Sequence, residues 1–151
     1  MAKITKKGLW IEISSLNPED KKNYIRSGIF ILLSSSLLGI HLAHIGFLGD
    51  EALREPIISE PWLMAVRILT IVGFFIGAYF YKLFFETQDD LFKGYHNAGL
   101  LGGSYGFLIF GLLLTVLSPY FNYSPNFYEF FIAFAAGSAG GGYYFYKKYL
   151  A

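Results

Sequence analysis

Four long apolar runs, separated by short polar punctuation, dominate the chain. Ser27 to Leu48 is 22 residues without Asp, Glu, Lys or Arg. Trp62 to Phe85 holds 24 residues with only Arg67 and Lys82 charged, Asn97 to Leu117 holds 21 uncharged residues, and Phe130 to Tyr146 holds 17. A bilayer core of about 30 Å is crossed by roughly 20 helical residues rising 1.5 Å each. Each run therefore reads as a transmembrane helix, at about 27–48, 62–85, 97–117 and 130–146. A transmembrane barrel would instead show short alternating segments. The expected fold class is all-α: a polytopic integral membrane protein, a four-transmembrane-helix bundle, with residues 1–151 as one membrane domain and 1–24 as an N-terminal segment.

The punctuation agrees with these limits. Asn17-Pro18-Glu19-Asp20 has the form of a helix start, with a capping Asn, proline at the first helical position and acids in the first turn. Glu55-Pro56 and Glu60-Pro61 break the chain before the second span. Thr87-Gln88-Asp89-Asp90 can cap the third, opening with a short interfacial turn through Leu91, Phe92 and Tyr95. Ser118-Pro119 ends it, and Ser124-Pro125-Asn126 leads into the fourth.

Charge sets the expected orientation. Lys3, Lys6, Lys7, Lys21, Lys22 and Arg26 precede the first span, Lys82 and Lys93 flank the second loop, and Lys147 and Lys148 close the chain. The first and third loops together hold only Arg54. The positive-inside rule then puts both termini in the cytoplasm, as a multi-pass protein of the plasma (inner) membrane. The first run is longer than a signal peptide's apolar region and three further runs follow it, so it is read as retained. No lipidation motif is present: Ala2 stands where myristoylation needs glycine.

Composition narrows the chemistry. Hydrophobic residues make up 54% and charged ones 15%, with mean hydropathy +0.44, against about 25% charged in soluble domains. The chain has no cysteine, which excludes disulfides, thiol catalysis and Cys-ligated metal. A net charge of +1 offers nucleic acid nothing to recognise. There is no nucleophile elbow, P-loop, HExxH or dinucleotide fingerprint. The leading expectation is thus a small subunit or accessory protein, non-catalytic alone.

Small residues recur at four-residue spacing: Ser35-Gly39-Ala43, Gly73-Gly77, Gly99-Gly103 overlapping Gly102-Gly106, and Ala133-Gly137-Gly141. Such spacing aligns small atoms on one helix face, where backbones can approach. The expected helix-packing residues are Gly73, Gly77, Gly99, Gly103, Gly106, Gly137 and Gly141. Internal packing, docking to other membrane subunits or a second copy, and a groove for a flat cofactor or a lipid tail all fit the pattern.

Ionisable groups within spans are costly and often functional. His41 and His44 share a face near the outer end of the first span, Arg67 lies five residues inside the second, and Glu129 starts the fourth. All four fall within about 10 Å of the outer interface at 1.5 Å per residue. Two readings stand side by side. Arg67 can reach phosphates or the carboxylates of Asp50, Glu51 or Glu60, with Glu129 in water. Alternatively the four form one polar cluster, with Arg67 paired to Glu129 and the histidines as ligands or proton carriers, which suits a small transporter or sensor. The paired histidines on so small a chain resemble the membrane anchors of quinone-linked dehydrogenases, which implies a haem- or quinone-associated anchor of a respiratory complex. Bis-His ligation within one chain is excluded because His96 belongs at the opposite end of its span. A metal at the His pair has no third ligand.

Overall fold

The computed structural model describes residues 3–4, 11–44 and 58–150. The expected end of the first span at 45–48, together with Asp50, Glu51, Arg54 and Glu55-Pro56, lies outside them. The described chain is helical: α1 (Pro18–His44), α2 (Trp62–Glu86), α3 (Asp90–Leu117) and α4 (Phe127–Tyr149). Ahead of α1, Lys3–Ile4 pairs antiparallel with Ile11–Glu12, a two-residue ladder that the apolar pattern does not predict. α1, α2 and the stretch from Asp90 through Phe121 are each long and apolar enough to cross a membrane. α4 has the length, at 23 residues, but glycine, serine and tyrosine dilute its apolar content.

The helices form two antiparallel hairpins, α1 with α2 and α3 with α4. Their ends follow the local chemistry. Asn17 caps α1 by accepting from the Asp20 backbone N–H at 2.8 Å, while its amide donates to the Asp20 carboxylate at 2.8 Å. Asp89 caps α3 through the Phe92 N–H at 2.8 Å, and the helix then runs unbroken through Leu91, Phe92 and Tyr95. A 3-10 turn at Ser118–Phe121 closes α3, and Asn126 caps α4.

In the α1/α2 hairpin the buried residues of α1 are Asp20, Ser27 and Ser34, and those of α2 include Leu63, Thr70, Gly77 and Phe84. Both sets recur every seven residues, the spacing of helices that wrap gently about each other. Gly73 lies against Ser34 and Gly77 against Ile31. Tyr24 packs on Phe84 at 5.1 Å and Phe30 on Phe80 at 6.1 Å between ring centres. The hairpin is tied at its open end, where the Thr87 hydroxyl donates to Asp20 at 2.7 Å. Asp20 is only 2% exposed, and its carboxylate joins the capping Asn17 side chain to the end of α2.

In the α3/α4 hairpin the backbones themselves meet. A Cβ at Gly102 would fall 2.9 Å from the Gly141 Cα, one at Gly106 3.0 Å from the Gly137 Cα, and one at Gly141 3.1 Å from the Gly102 Cα. Those distances leave no room for a methyl group. Ala98, Gly102 and Gly106 thus interlock with Ala133, Gly137 and Gly141, one residue per helical turn on each side.

Two expectations follow. Gly137→Leu lowers stability by about 1–3 kcal/mol through overpacking, whereas Gly140→Ala, where nothing lies within 4 Å of a new Cβ, is neutral or slightly stabilising; unfolding in mixed micelles measures both. Asp20→Ala costs about 1–3 kcal/mol by removing the buried carboxylate that accepts from the Asn17 amide and the Thr87 hydroxyl, while Asp20→Asn, which still accepts hydrogen bonds, keeps most of the stability in the same assay.

Candidate functional site

His41 and His44 occupy the last turn of α1, half-buried. In both rings Nδ1 is shielded from solvent and has no hydrogen-bond partner among the described residues. No third His, Asp or Glu joins them in a group able to hold a metal, again among the described residues. Continuing the register of Tyr24 with Phe84 and Ser34 with Gly73 for one more heptad brings His41 level with Val66 and Arg67. The hairpin thus gathers His41, His44 and Arg67 at one end.

Arg67 already has a counter-ion. Its guanidinium meets the Glu60 carboxylate at 3.2 Å, with the two side chains 42% and 57% exposed. Glu60 also accepts from the Met64 N–H at 3.1 Å, so it serves the first turn of α2 as well as the charge. A pair this open contributes at most about 1 kcal/mol. Of the carboxylates considered for Arg67 from the sequence, Glu60 is the partner found; Asp50 and Glu51 are outside the described residues.

Glu129, in the α3/α4 hairpin, is also engaged locally. Its carboxylate accepts from the Asn126 backbone N–H at 2.9 Å, and Asn126 in turn accepts from the Tyr128 N–H at 2.8 Å, a capping box at the start of α4. The Tyr123 hydroxyl donates to the other carboxylate oxygen. That hydrogen bond, with the backbone donors, holds the Glu129 pKa below the ordinary carboxylate value, and the same bond raises that of Tyr123. Both carboxylate oxygens are thereby committed to the chain entering α4.

Among the glycines expected to pack helices, Gly73 and Gly77 face α1, and Gly106, Gly137 and Gly141 lie in the α3/α4 seam. Gly103 meets the side chains of Ser138 and Phe134. Gly99 is at the edge, its Cβ position 3.6 Å from the Ser138 carbonyl oxygen, an ordinary contact. Ala98 and Gly102 take the inner positions instead. Overlapping small-residue registers one residue apart hid that choice in the sequence. The Asp20–Thr87 tie was also missed, although Asp20, Ser27, Ser34 and His41 at seven-residue intervals were a legible signal of a polar seam.

No family model, curated protein or solved structure matches this chain. The site's own chemistry therefore carries the functional argument.

The Glu129 cap gives a signed pH dependence. A carboxylate with a lowered folded pKa stabilises above its unfolded pKa and loses that contribution as pH falls through the folded value. Acidification below the ordinary carboxylate range should therefore fray the start of α4, read as loss of helicity by circular dichroism. The step should vanish in Glu129→Gln.

Proposed function

We propose that this chain is a small non-catalytic integral membrane subunit or accessory protein that docks through small-residue helix faces into a membrane complex. In this reading all four helices span the plasma (inner) membrane, with both termini cytoplasmic, as the distribution of Lys and Arg supports. One observation carries the docking reading: small residues are left over after the hairpins have formed. On α4, Ala135, Ala136, Ala139 and Gly140 are exposed beside the interlocked seam. On α1, Ser35 and Gly39 are exposed. A Cβ at Gly28, Gly39 or Gly140 would meet nothing within 4 Å among the described residues. Glycine lowers helix stability by about 1 kcal/mol relative to Ala in water-exposed helices, so glycine that meets nothing in its own hairpin gains its purpose from a neighbour outside that hairpin, which in this reading is another chain. Other membrane subunits or a second copy of this chain would supply it.

The Nδ1 atoms of His41 and His44, which have no partner among the described residues, favour a second reading, a haem- or quinone-associated anchor. The transporter or sensor reading draws less support, because Arg67 and Glu129 each have a local partner.

Native mass spectrometry of protein extracted gently from its own membrane tests these readings together. An assembly well above 17.0 kDa that dissociates in Ala136→Leu/Gly140→Leu, with helicity unchanged, is the expected result. A monomer near 17.0 kDa without adducts would overturn the docking reading. A haem or quinone adduct lost in His41→Ala would establish the second reading instead.

A further inference from the structure

One side of the α1/α2 hairpin carries a groove of about 350 Å³, lined by Phe30, Leu33 and Leu37 of α1 and by Leu69, Val72 and Ile76 of α2. Its walls are almost entirely hydrocarbon, and Leu33, Leu69 and Val72 are open to the surroundings at 58%, 57% and 46% exposure. The groove ends towards the α1 N-terminus at Phe30, whose ring stacks on Phe80. On Phe80 sits the guanidinium of Arg26, 5.3 Å from the ring centre. Lys22, Arg26 and Phe30 follow at four-residue steps, so the two cations continue the groove face of α1 outward.

Both cations are exposed, and neither has a carboxylate within ion-pair distance among the described residues. The carboxylates nearby are spoken for or displaced. Asp20 is buried in the cap and the Thr87 tie. Glu86 pairs with Lys82 at 3.5 Å. Glu19 lies a turn further from the groove. From Arg26 to Leu37 the helix rises about 16 Å at 1.5 Å per residue, close to half of a hydrocarbon core about 30 Å thick. The feature is therefore one leaflet deep, with positive charge at headgroup level and a hydrocarbon channel running to the midplane.

We infer that this face is a binding site for one anionic phospholipid, its phosphate held by Arg26 and Lys22 and one acyl chain lying along the groove. The planar guanidinium offers paired N–H donors to phosphate oxygens, and Lys22 adds a point charge. Stacking on Phe80 holds Arg26 at the mouth, so less side-chain freedom is lost when a headgroup arrives. Two cations without counter-ions favour a headgroup of net negative charge over a zwitterion. The inference rests on the membrane reading of α1 and α2 and is independent of docking.

Delipidated full-length protein in mild detergent, titrated separately with phosphatidylglycerol, phosphatidylcholine and glycerol phosphate, tests it by native mass spectrometry. The expected result is one retained phosphatidylglycerol, with phosphatidylcholine and glycerol phosphate each at least about tenfold weaker. Lys22→Gln/Arg26→Gln should abolish the preference between the two lipids, and Arg26→Lys should restore part of it in the Lys22 background. Val72→Trp, at an exposed position that fills the groove, should weaken both lipids and leave helicity intact. Equal retention of the two lipids by the wild type, or unchanged binding in Val72→Trp, would overturn the proposal. So would glycerol phosphate binding as tightly as the lipid, which would reduce the site to an anion contact. Membrane extraction with carbonate separates a failure of the membrane reading, in which the chain leaves the pellet, from a failure of the lipid site, in which it stays.

Discussion

Helices surrounded by hydrocarbon gain nothing by hiding apolar surface from it, so their association depends on how closely their backbones can come together. The α3/α4 hairpin has the close approach such a setting would demand, at Gly102, Gly106, Gly137 and Gly141, where the space for a Cβ is taken by the opposing main chain. Large side chains are consequently displaced to the flanks. Phe107 packs on Phe130 at 5.6 Å and Tyr95 on Phe145 at 6.1 Å between ring centres, bracketing the seam at both ends. The glycine-rich run of α4, a liability in an isolated helix, becomes the means by which two dispersion-packed surfaces reach contact distance.

The α1/α2 hairpin solves the same problem with polar atoms. Its seam carries Asp20, Ser27 and Ser34 on one side and Thr70 on the other, all at most 6% exposed. Thr70 satisfies itself on the Val66 carbonyl at 2.8 Å, whereas the Ser27 hydroxyl is buried without a partner among the described residues. The strongest polar link is confined to the open end, where Asp20 meets Thr87. The two hairpins thus differ in kind: in one the opposing main chains meet, while in the other glycines pack against Ser34 and Ile31 and an acid ties the open end. The apolar groove belongs to the second, lined by Phe30, Leu37 and Val72 around Gly73.

The ionisable residues divide along similar lines. The run lengths pointed to residues near helix ends, and His41, His44, Arg67 and Glu129 do lie in or near the terminal turns of their helices. Which partner each would choose depended on geometry over a few ångströms. Arg67 reaches back two turns to Glu60 because the first turn of α2 presents that carboxylate beside its own N–H groups. Glu129 is engaged by Asn126 and Tyr123 before any distant charge is considered. Among the described residues the histidine Nδ1 atoms have no hydrogen-bond partner, which keeps them distinct from residues whose roles are capping and neutralisation.

By itself the sequence determined helical class, the approximate limits of the apolar helices and the chemistry at their ends, since these follow from local rules. The Asn17 cap with Pro18 at the first helical position needs only neighbouring residues to be recognised, and so does the Asn126 box. Tertiary structure decided everything that turns on register. Gly99-Gly103 and Gly102-Gly106 are equally regular on paper, and they lie on faces separated by about one residue's rotation, near 100° at 3.6 residues per turn. Only the fit of α4 selects Gly102 and Gly106 for the centre and leaves Gly99 at the edge. The alignment of Asp20 with Thr87 was equally beyond local inference, because it joins residues far apart in the chain through the pitch of two packed helices. Periodicity along one helix names candidate faces; the shape of the neighbouring helix chooses among them.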